Sequence, residues 1–459
     1  MARIVQHRDP ELSLLQSAID EVAIQHKAGG GAQSVGEAIA STDRPGIEDP
    51  MVRQATSLAT DVAHMRSVGA DQLQPGAIPG TVATEGIAEG AKYCASLAFN
   101  YAKAKATGNK AAADQAWADL HDPFTSCDPR YAEAAVKAAQ YFGVQQGKIP
   151  YVDWKNLSDF VVDDVLPEDA TIAVVGDWGT GQPEALAVLE SIASRKPDVV
   201  IHLGDVYYSG TETEQQHYFF DRWCEILALK IDANRNVMPG QKPRTFFVPG
   251  NHDMYSGGAP YYKVISQLGH PASFFCLRNK YWQFIGLDTG YHDHSLGGPC
   301  THLPDRQPEW LADKVNNSGG RKTVLCSHHQ LFSNADTFDA QDGTAAGPTN
   351  PTLLKEVEPI LPKVNLWLWG HQHQFVAYDD PRVKARCIGH GAYPVGVSEI
   401  GPQSNSIPLD KSIAAPQHGN DFWDCGYAWI KLNGADATVT YYALDDQGSE
   451  RSSPPTEQI

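Results

Sequence analysis

The stretch TIAVVGDWG, residues 171–179, decides the fold class. The apolar residues Ile172–Val175 end abruptly in glycine and aspartate, which is typical of a buried strand that stops at the edge of a sheet. Similar apolar runs recur later in the chain, separated by amphipathic stretches, and lie at 198–203, 245–248, 281–289, 323–326 and 365–369. This alternation predicts a layered α/β fold.

The sequence predicts two domains. Residues 1–150 show helical spacing of apolar residues and almost no strand pattern, so we expect an all-helical N-terminal domain of unknown role. Residues 151–167 are expected to form a linker, and residues 168–447 the α/β domain. Residues 448–459 are polar and contain two prolines, so we expect a disordered tail.

Composition and charge restrict the possible partners. Hydrophobic residues make up 42% of the 459 residues, which favours a folded globular chain. The net charge of −19 disfavours binding to nucleic-acid backbones or to anionic membranes. The start of the chain has no signal-like apolar stretch, and we expect a cytoplasmic protein. The eight cysteines form no C-x-x-C motif, so reduced thiols are expected.

Five of the apolar runs are followed at once by residues that bind metals. The segments read GDWG, GDVYY, GNHD, SHH and GHQH. In an open α/β sheet, sites form outside the carboxyl ends of the strands, so these segments are expected to converge. Oxygen and nitrogen donors without thiolates suit Fe, Mn or Zn. The number of candidate ligands exceeds what a single metal ion can bind. They are Asp177, Asp205, Tyr208, Asn251, His328, His371 and His373.

The ordered set of motifs resembles the calcineurin-like metallophosphoesterases and, within them, the purple acid phosphatases. The resemblance covers residues 168–447 and implies a four-layer α/β/β/α sandwich with two metal ions. It also implies how the ligands divide between the ions, with His329 as a neighbour that binds neither. The first ion takes Asp177, Asp205, Tyr208 and His373, and the second takes Asp205, Asn251, His328 and His371.

The resemblance to the purple acid phosphatases depends on Tyr208. Protein Ser/Thr phosphatases of the superfamily read GD-x-x-DRG, whereas this chain reads GDVYYSG, so that activity is disfavoured. By resemblance to the purple acid phosphatases, a Tyr208 phenolate favours Fe(III) in the first site, with Fe(II), Zn or Mn in the second.

The expected mechanism is hydrolysis of a small-molecule phosphate ester. Two cations lower the pKa of a bound water, and the resulting hydroxide attacks phosphorus in line. The family places its catalytic histidine at the position of His252, which is therefore expected to protonate the leaving group. Asp253 is expected either to orient His252 or to cap the next segment, and the cap is favoured.

Several functions remain open from the sequence alone. Phosphomonoester hydrolysis is favoured over phosphodiester or nucleotide pyrophosphate hydrolysis. Some phosphatases of this group carry a second catalytic histidine shortly after the strand-end ligand, and residues 333–343 contain none, which keeps the diesterase alternative close. A non-catalytic binding scaffold is a more distant alternative. The helical domain is a candidate for oligomerisation or partner binding.

Overall fold

The structure is a computed structural model of the 459-residue chain, which separates into two units, Met1–Gly147 and Lys148–Ile459. The predicted N-terminal helical domain lies outside the described residues. Within the second unit, the structure describes residues 149–163, 165–207, 210–292, 301–335, 338, 347–393, 395, 406–413, 423–445, 448, 450–451 and 456–459.

The described residues form two seven-stranded sheets. In the first sheet the strand order is β1-β5-β6-β7-β8-β10-β9, and in the second it is β13-β12-β11-β2-β3-β4, with β14 paired to β12. The strands are β1 (Val161–Val162), β2 (Thr171–Val175), β3 (Val199–His202), β4 (Arg244–Phe247), β5 (Phe275–Arg278), β6 (Trp282–Gly286), β7 (Lys322–Ser327), β8 (Leu366–Trp369), β9 (Phe375–Asp380), β10 (Val383–Ile388), β11 (Cys425–Asn433), β12 (Asp436–Leu444), β13 (Glu450–Arg451) and β14 (Glu457–Gln458).

Short helices connect these strands. They are α1 (Pro183–Ser194), a π-helix (Glu214–Phe220), α2 (Asp221–Ile226), α3 (Asn251–Met254), α4 (Ala259–Gln267), α5 (Gln307–Asn316), α6 (Pro351–Val357) and a 3-10 helix (Leu361–Lys363). In α5 and α6, Trp310 and Leu353 are fully buried and join Trp367 of β8 in one apolar cluster. None of the helices in the described part of the chain combines the length and apolar character needed to span a bilayer.

The main core lies between the two sheets. Val174 and Ile201 of the second sheet pack in one cluster with Phe284, Val324 and Leu368 of the first. These side chains are removed from water, and each contributes about 1.5 to 3 kcal/mol by burial. Because α5 and α6 contribute to a second cluster with strands of the first sheet, the architecture is a layered α/β fold built on two mixed sheets, in agreement with the predicted fold class.

Each sheet contains a block of neighbouring parallel strands. Strand β2 pairs with β3 and β3 with β4 in parallel register. In the other sheet, β6 pairs with β7, β7 with β8 and β8 with β10 in the same way. Parallel neighbours end at the same edge of their sheet, so the residues that follow these strands come together there.

Two segments differ from their predicted roles. Residues 151–167, expected to be a linker, contribute strand β1, which pairs with β5, and a buried Trp154. Within the tail at 448–459, expected to be disordered, β13 and β14 both pair with β12. The physical reason is the same in both segments, because each lies along an edge strand whose backbone groups it can bond.

Candidate metal centre

The structure brings together the polar residues that follow five parallel strands. Asp177 follows β2, Asp205 follows β3, His328 follows β7, and His371 and His373 follow β8. The segment Asn251–Asp253 opens helix α3 just after β4. Apart from the half-buried His371, these side chains are buried. Tyr208 lies outside the described residues.

One group of oxygen and nitrogen atoms that could bind a metal lies around the imidazole of His328. Its Nε2 lies 3.2 Å from Asp205 Oδ2, 3.1 Å from Asn251 Oδ1 and 3.2 Å from His371 Nδ1. His371 Nδ1 is also 3.1 Å from Asn251 Oδ1. We call these four atoms the second cluster. They belong to the four residues that the family resemblance places on the second ion.

Another group of oxygen and nitrogen atoms that could bind a metal lies around the hydroxyl of Tyr207. Its Oη lies 2.9 Å from Asp177 Oδ1, 2.9 Å from His373 Nε2 and 3.4 Å from Asp205 Oδ2. His373 Nε2 is 3.4 Å from Asp177 Oδ1. We call these four atoms the first cluster. The Asp205 Oδ2 atom belongs to both clusters and therefore joins them.

The spacing of these atoms fits bound metal ions. Two ligands held about 2.1 Å from one ion lie about 3 Å apart when they are neighbours in its coordination sphere. The measured separations in both clusters run from 2.9 to 3.4 Å. All donors are oxygen or nitrogen, which suits Fe, Mn or Zn.

Three of these residues have a backbone that non-glycine residues rarely adopt. The φ angles are 58° at Asp177, 72° at Asp205 and 66° at His371. Such left-handed conformations cost about 1 to 3 kcal/mol each and persist only where the surroundings hold them. Such conformations are often found at functional sites, and these three lie at the ends of β2, β3 and β8.

Hydrogen bonds hold the candidate ligands in place. Asp177 Oδ2 accepts the N–H of His371 at 2.9 Å, and Asp205 Oδ1 accepts the N–H of His252 at 3.0 Å. His328 Nδ1 lies 2.8 Å from the carbonyl oxygen of Leu203 and must donate to it. That bond fixes the tautomer in which Nε2 of His328 presents a lone pair to the second cluster.

The carboxylates create a field that favours positive charge. Burial alone would lower the pKa of His328, but the charges of Asp205 and Asp177 raise it to about 9. The histidines in turn hold the pKa of Asp205 below its usual value, although burial opposes this effect. A site that stabilises an imidazolium in this way also attracts a metal cation, which replaces the proton.

His252 lies beside the two clusters. Its Nε2 is 3.9 Å from Asp205 Oδ2, and its ring packs against Tyr207 and Tyr255 with centroid distances of 4.8 and 4.9 Å. The ring is buried and lies next to the carboxylate that the two clusters share.

Asp253 acts as a cap in this structure, which is the favoured sequence alternative. Its Oδ2 accepts the N–H groups of Gly250 at 2.8 Å and of Asp205 at 2.9 Å, and its Oδ1 accepts Gln215 Nε2 at 2.6 Å. Burial raises the pKa of the Asp253 carboxyl, and the neighbouring Asp205 raises it further, to about 8. Asp253 therefore connects three segments around the site.

Two further residues lie at the clusters: Tyr207, to which the sequence assigned no role, and His329, which was expected to be a neighbour that binds neither ion. Tyr207 provides a hydroxyl in the first cluster, and its adjacency to Tyr208 in GDVYY was the available signal. One ring nitrogen each of His328, His329 and His371 lie within 4.8 Å of one another, a group able to hold a metal ion. The backbone N–H and the Nδ1 of His329 lie 3.0 and 3.1 Å from Thr289 Oγ1, which fixes the ring.

Comparison with known proteins agrees with this geometry. Residues 170–375 match the family model of the calcineurin-like phosphoesterases. The chain is 26% identical over 208 residues to the 3′,5′-cyclic adenosine monophosphate phosphodiesterase CpdA of Escherichia coli (strain K12), an alignment that covers 45% of this chain and 64% of that relative. It is 24% identical over 255 residues to the CpdA of Pseudomonas aeruginosa, covering 54% of this chain and 75% of that relative.

Among solved structures, the chain is similar to PhoD, with a TM-score of 0.41 and 13% identity over 65% of this chain and 69% of that one. The family match, by contrast, spans β2 to the start of β9 and includes every residue of both clusters. Residues 170–375 therefore form a domain of the calcineurin-like phosphoesterase family.

Proposed function

We propose that this chain is a metal-dependent phosphoesterase that hydrolyses small-molecule phosphate esters at a centre of two metal ions. The observation that carries the proposal is the position of Asp205 Oδ2, which lies 3.2 Å from His328 Nε2 in one cluster and 3.4 Å from Tyr207 Oη in the other. An oxygen shared in this way would suit a centre that holds two metal ions, as in two-metal hydrolases.

Each cluster would hold one ion. Asp177, Asp205, Tyr207 and His373 form the set for the first ion, and Asp205, Asn251, His328 and His371 the set for the second. In the first set, Tyr207 replaces the predicted Tyr208. Bound metal ions would supply positive charge that lowers the pKa of a coordinated water and stabilises the oxygens of the reacting phosphoryl group.

His252 is proposed to protonate the leaving alkoxide. Its Nε2 lies 3.9 Å from the carboxylate shared by the clusters, close enough to reach a substrate oxygen held there. The N–H of His252 is bonded to Asp205 Oδ1 at 3.0 Å, so the proton donor and the shared ligand are positioned together. Asp253 contributes by holding the backbone of this loop.

Phosphodiesters are the substrate class we propose first. Both relatives named above are 3′,5′-cyclic adenosine monophosphate phosphodiesterases. At the position where protein phosphatases of the superfamily carry the phosphate-binding arginine, this chain has Ser209. A terminal phosphate dianion thus lacks one of its usual partners, whereas a diester carries only one negative charge and needs less neutralisation.

Phosphomonoesters are the second candidate because of the phenol in the first cluster. Tyr207 Oη is 2.9 Å from both Asp177 Oδ1 and His373 Nε2, a place from which it could bind Fe(III) as in the purple acid phosphatases that the motifs resemble. This candidate requires iron in the first site and Fe(II), Zn or Mn in the second.

The test is the ratio of kcat/KM for p-nitrophenyl phosphate to kcat/KM for bis-p-nitrophenyl phosphate, measured on protein of known metal content. We expect a ratio below one, with 3′,5′-cyclic AMP tested next. A ratio far above one, in protein that contains iron, would select the monoester candidate.

The matched control is Asp205→Asn, which keeps the shape of the shared side chain but removes its charge. We expect this variant to lose metal and both activities together. Full hydrolysis by metal-free wild-type protein, or by Asp205→Asn, would contradict the proposed two-metal centre.

A further inference from the structure

A buried glutamine lies behind the proposed centre, in the π-helix Glu214–Phe220. Gln215 is fully buried, and the described residues give its Oε1 no hydrogen-bond partner. Its Nε2 donates to Asp253 Oδ1 at 2.6 Å. π-Helical turns are rare and are often found at functional sites, because they shift a side chain out of its regular position. Here the π-helical turn places the amide of Gln215 against the carboxylate of Asp253.

The same carboxylate holds the backbone of the shared ligand. The Oδ2 of Asp253 accepts the N–H of Asp205 at 2.9 Å and that of Gly250 at 2.8 Å. Gly250 has no room for a side chain, because a Cβ there would lie 2.1 Å from Asp205 Oδ1. The segments after β3 and β4 are therefore packed directly on each other and joined through Asp253.

Asp205 needs such support because its backbone is strained. Its φ of 72° lies in the left-handed region, which costs a non-glycine residue about 1 to 3 kcal/mol. If the Asp253 carboxylate rotates, the N–H of Asp205 loses its partner and the residue can relax. Relaxation would move the carboxylate that belongs to both clusters.

We propose that Gln215 is a positioning residue for the metal centre. By donating to Asp253 Oδ1, it holds the orientation of that carboxylate in which Oδ2 faces the N–H groups of Asp205 and Gly250. A neutral amide suits this task, because it donates one hydrogen bond to Asp253 without placing a positive charge beside the metal centre. The inference rests on the proposed function, since it concerns the same centre.

The test compares two neighbouring buried glutamines. Gln215→Met keeps the length of the side chain but removes its donor. The control is Gln216→Met in the same π-helix, where Gln216 Nε2 bonds Gln267 Oε1 at 2.8 Å instead of a residue of the centre. Metal affinity is measured by competition with a chelator, together with kcat, KM and the melting temperature of each variant.

We expect Gln215→Met to weaken metal binding about 10- to 100-fold and to lower kcat more than KM changes. Gln216→Met is expected to keep wild-type metal affinity even where it melts at a lower temperature. If Gln215→Met proves insoluble, Gln215→Leu provides the same comparison with a different shape.

Two results would overturn the inference while leaving the proposed function intact. One is wild-type metal affinity in Gln215→Met, and the other is an equal loss of affinity in both variants, which would indicate general loosening of the π-helix. Wild-type protein that binds no metal would instead refute the proposed function itself. Metal affinity thus separates the two failures without any knowledge of the natural substrate.

Discussion

Glu457, in strand β14, is predicted to stabilise the fold by neutralising a buried arginine. Arg386 of β10 is fully buried. It donates to Glu457 through Nε at 3.1 Å and through an Nη at 2.7 Å, and Tyr441 donates its hydroxyl to the same carboxylate at 2.8 Å. Because β10 belongs to the first sheet and β14 to the second, this ion pair ties the two sheets together.

Glu457→Ala would leave Arg386 with one carboxylate partner, Asp410, at 2.9 Å. Removing one member of a buried ion pair costs about 3 to 5 kcal/mol, because the other charge stays buried without its partner. Since Asp410 still balances part of the charge, we expect the lower end of that range. The double variant Glu457→Leu with Arg386→Met should recover much of the loss, because neither position then carries a buried charge. Asp410, which also loses Arg386, is 22% exposed and keeps contact with water.

The assay is urea unfolding followed by tryptophan fluorescence, with Glu450→Ala as the matched control. Glu450 belongs to the other tail strand and pairs with Arg195 at 2.6 Å, but both side chains are partly exposed, at 35% and 23%. Such pairs contribute about 0 to 1 kcal/mol. Equal unfolding free energies for Glu457→Ala and wild type would refute the argument and show that the tail does not contribute to folding.

Three further predictions concern the centre and its surroundings. Tyr207→Phe should reduce the metal content by one ion, whereas Tyr208→Phe should bind both metal ions. In iron-loaded protein, the visible phenolate-to-iron absorption should vanish in Tyr207→Phe only. His252→Ala should keep both metals but lower kcat about 10²- to 10⁴-fold, most strongly for poor leaving groups, and metal loss in this variant would argue against its role as proton donor. Burial raises the pKa of Asp288 from 3.8 to about 7, so the stability that its protonated form contributes is complete below pH 3.8 and is lost as the pH rises through 7. The unfolding free energy of Asp288→Asn relative to wild type, measured by urea unfolding, should therefore increase by up to about 2.7 kcal/mol between pH 5 and pH 8. A difference in unfolding free energy that does not change with pH would contradict the raised pKa of Asp288.

Much of the fold could be predicted because strand ends carry a local signal. The run at 171–175 coincides with β2, and the runs at 323–326 and 365–369 lie within one residue of β7 and β8 at each end. Each run is apolar because its strand is buried, and each stops where polar residues must reach the site. Since parallel strands end at one edge, order along the sequence was enough to predict convergence of Asp177, Asp205 and the histidines.

The choice between Tyr207 and Tyr208 could not be predicted from spacing. Inside a strand, neighbouring side chains point to opposite faces, so one of two adjacent residues can be selected. After β3 that rule fails, because Gly204 and Asp205 have φ angles of 102° and 72° and turn the chain. The direction of the Tyr207 side chain then depends on the turn, which no periodicity in the sequence describes.

The tail and Gln215 show a different limit. The composition of residues 448–459 is typical of disorder, but composition does not reveal that Glu457 has a buried partner 71 residues earlier in the chain. Gln215 likewise looks like an ordinary polar residue until Asp253, 38 residues later, is placed beside it. Ligand types can be recognised from the residues alone, because the metal determines their chemistry. The groups that hold those ligands are selected only by the shape of the folded chain, so they are where a structure adds most to the sequence.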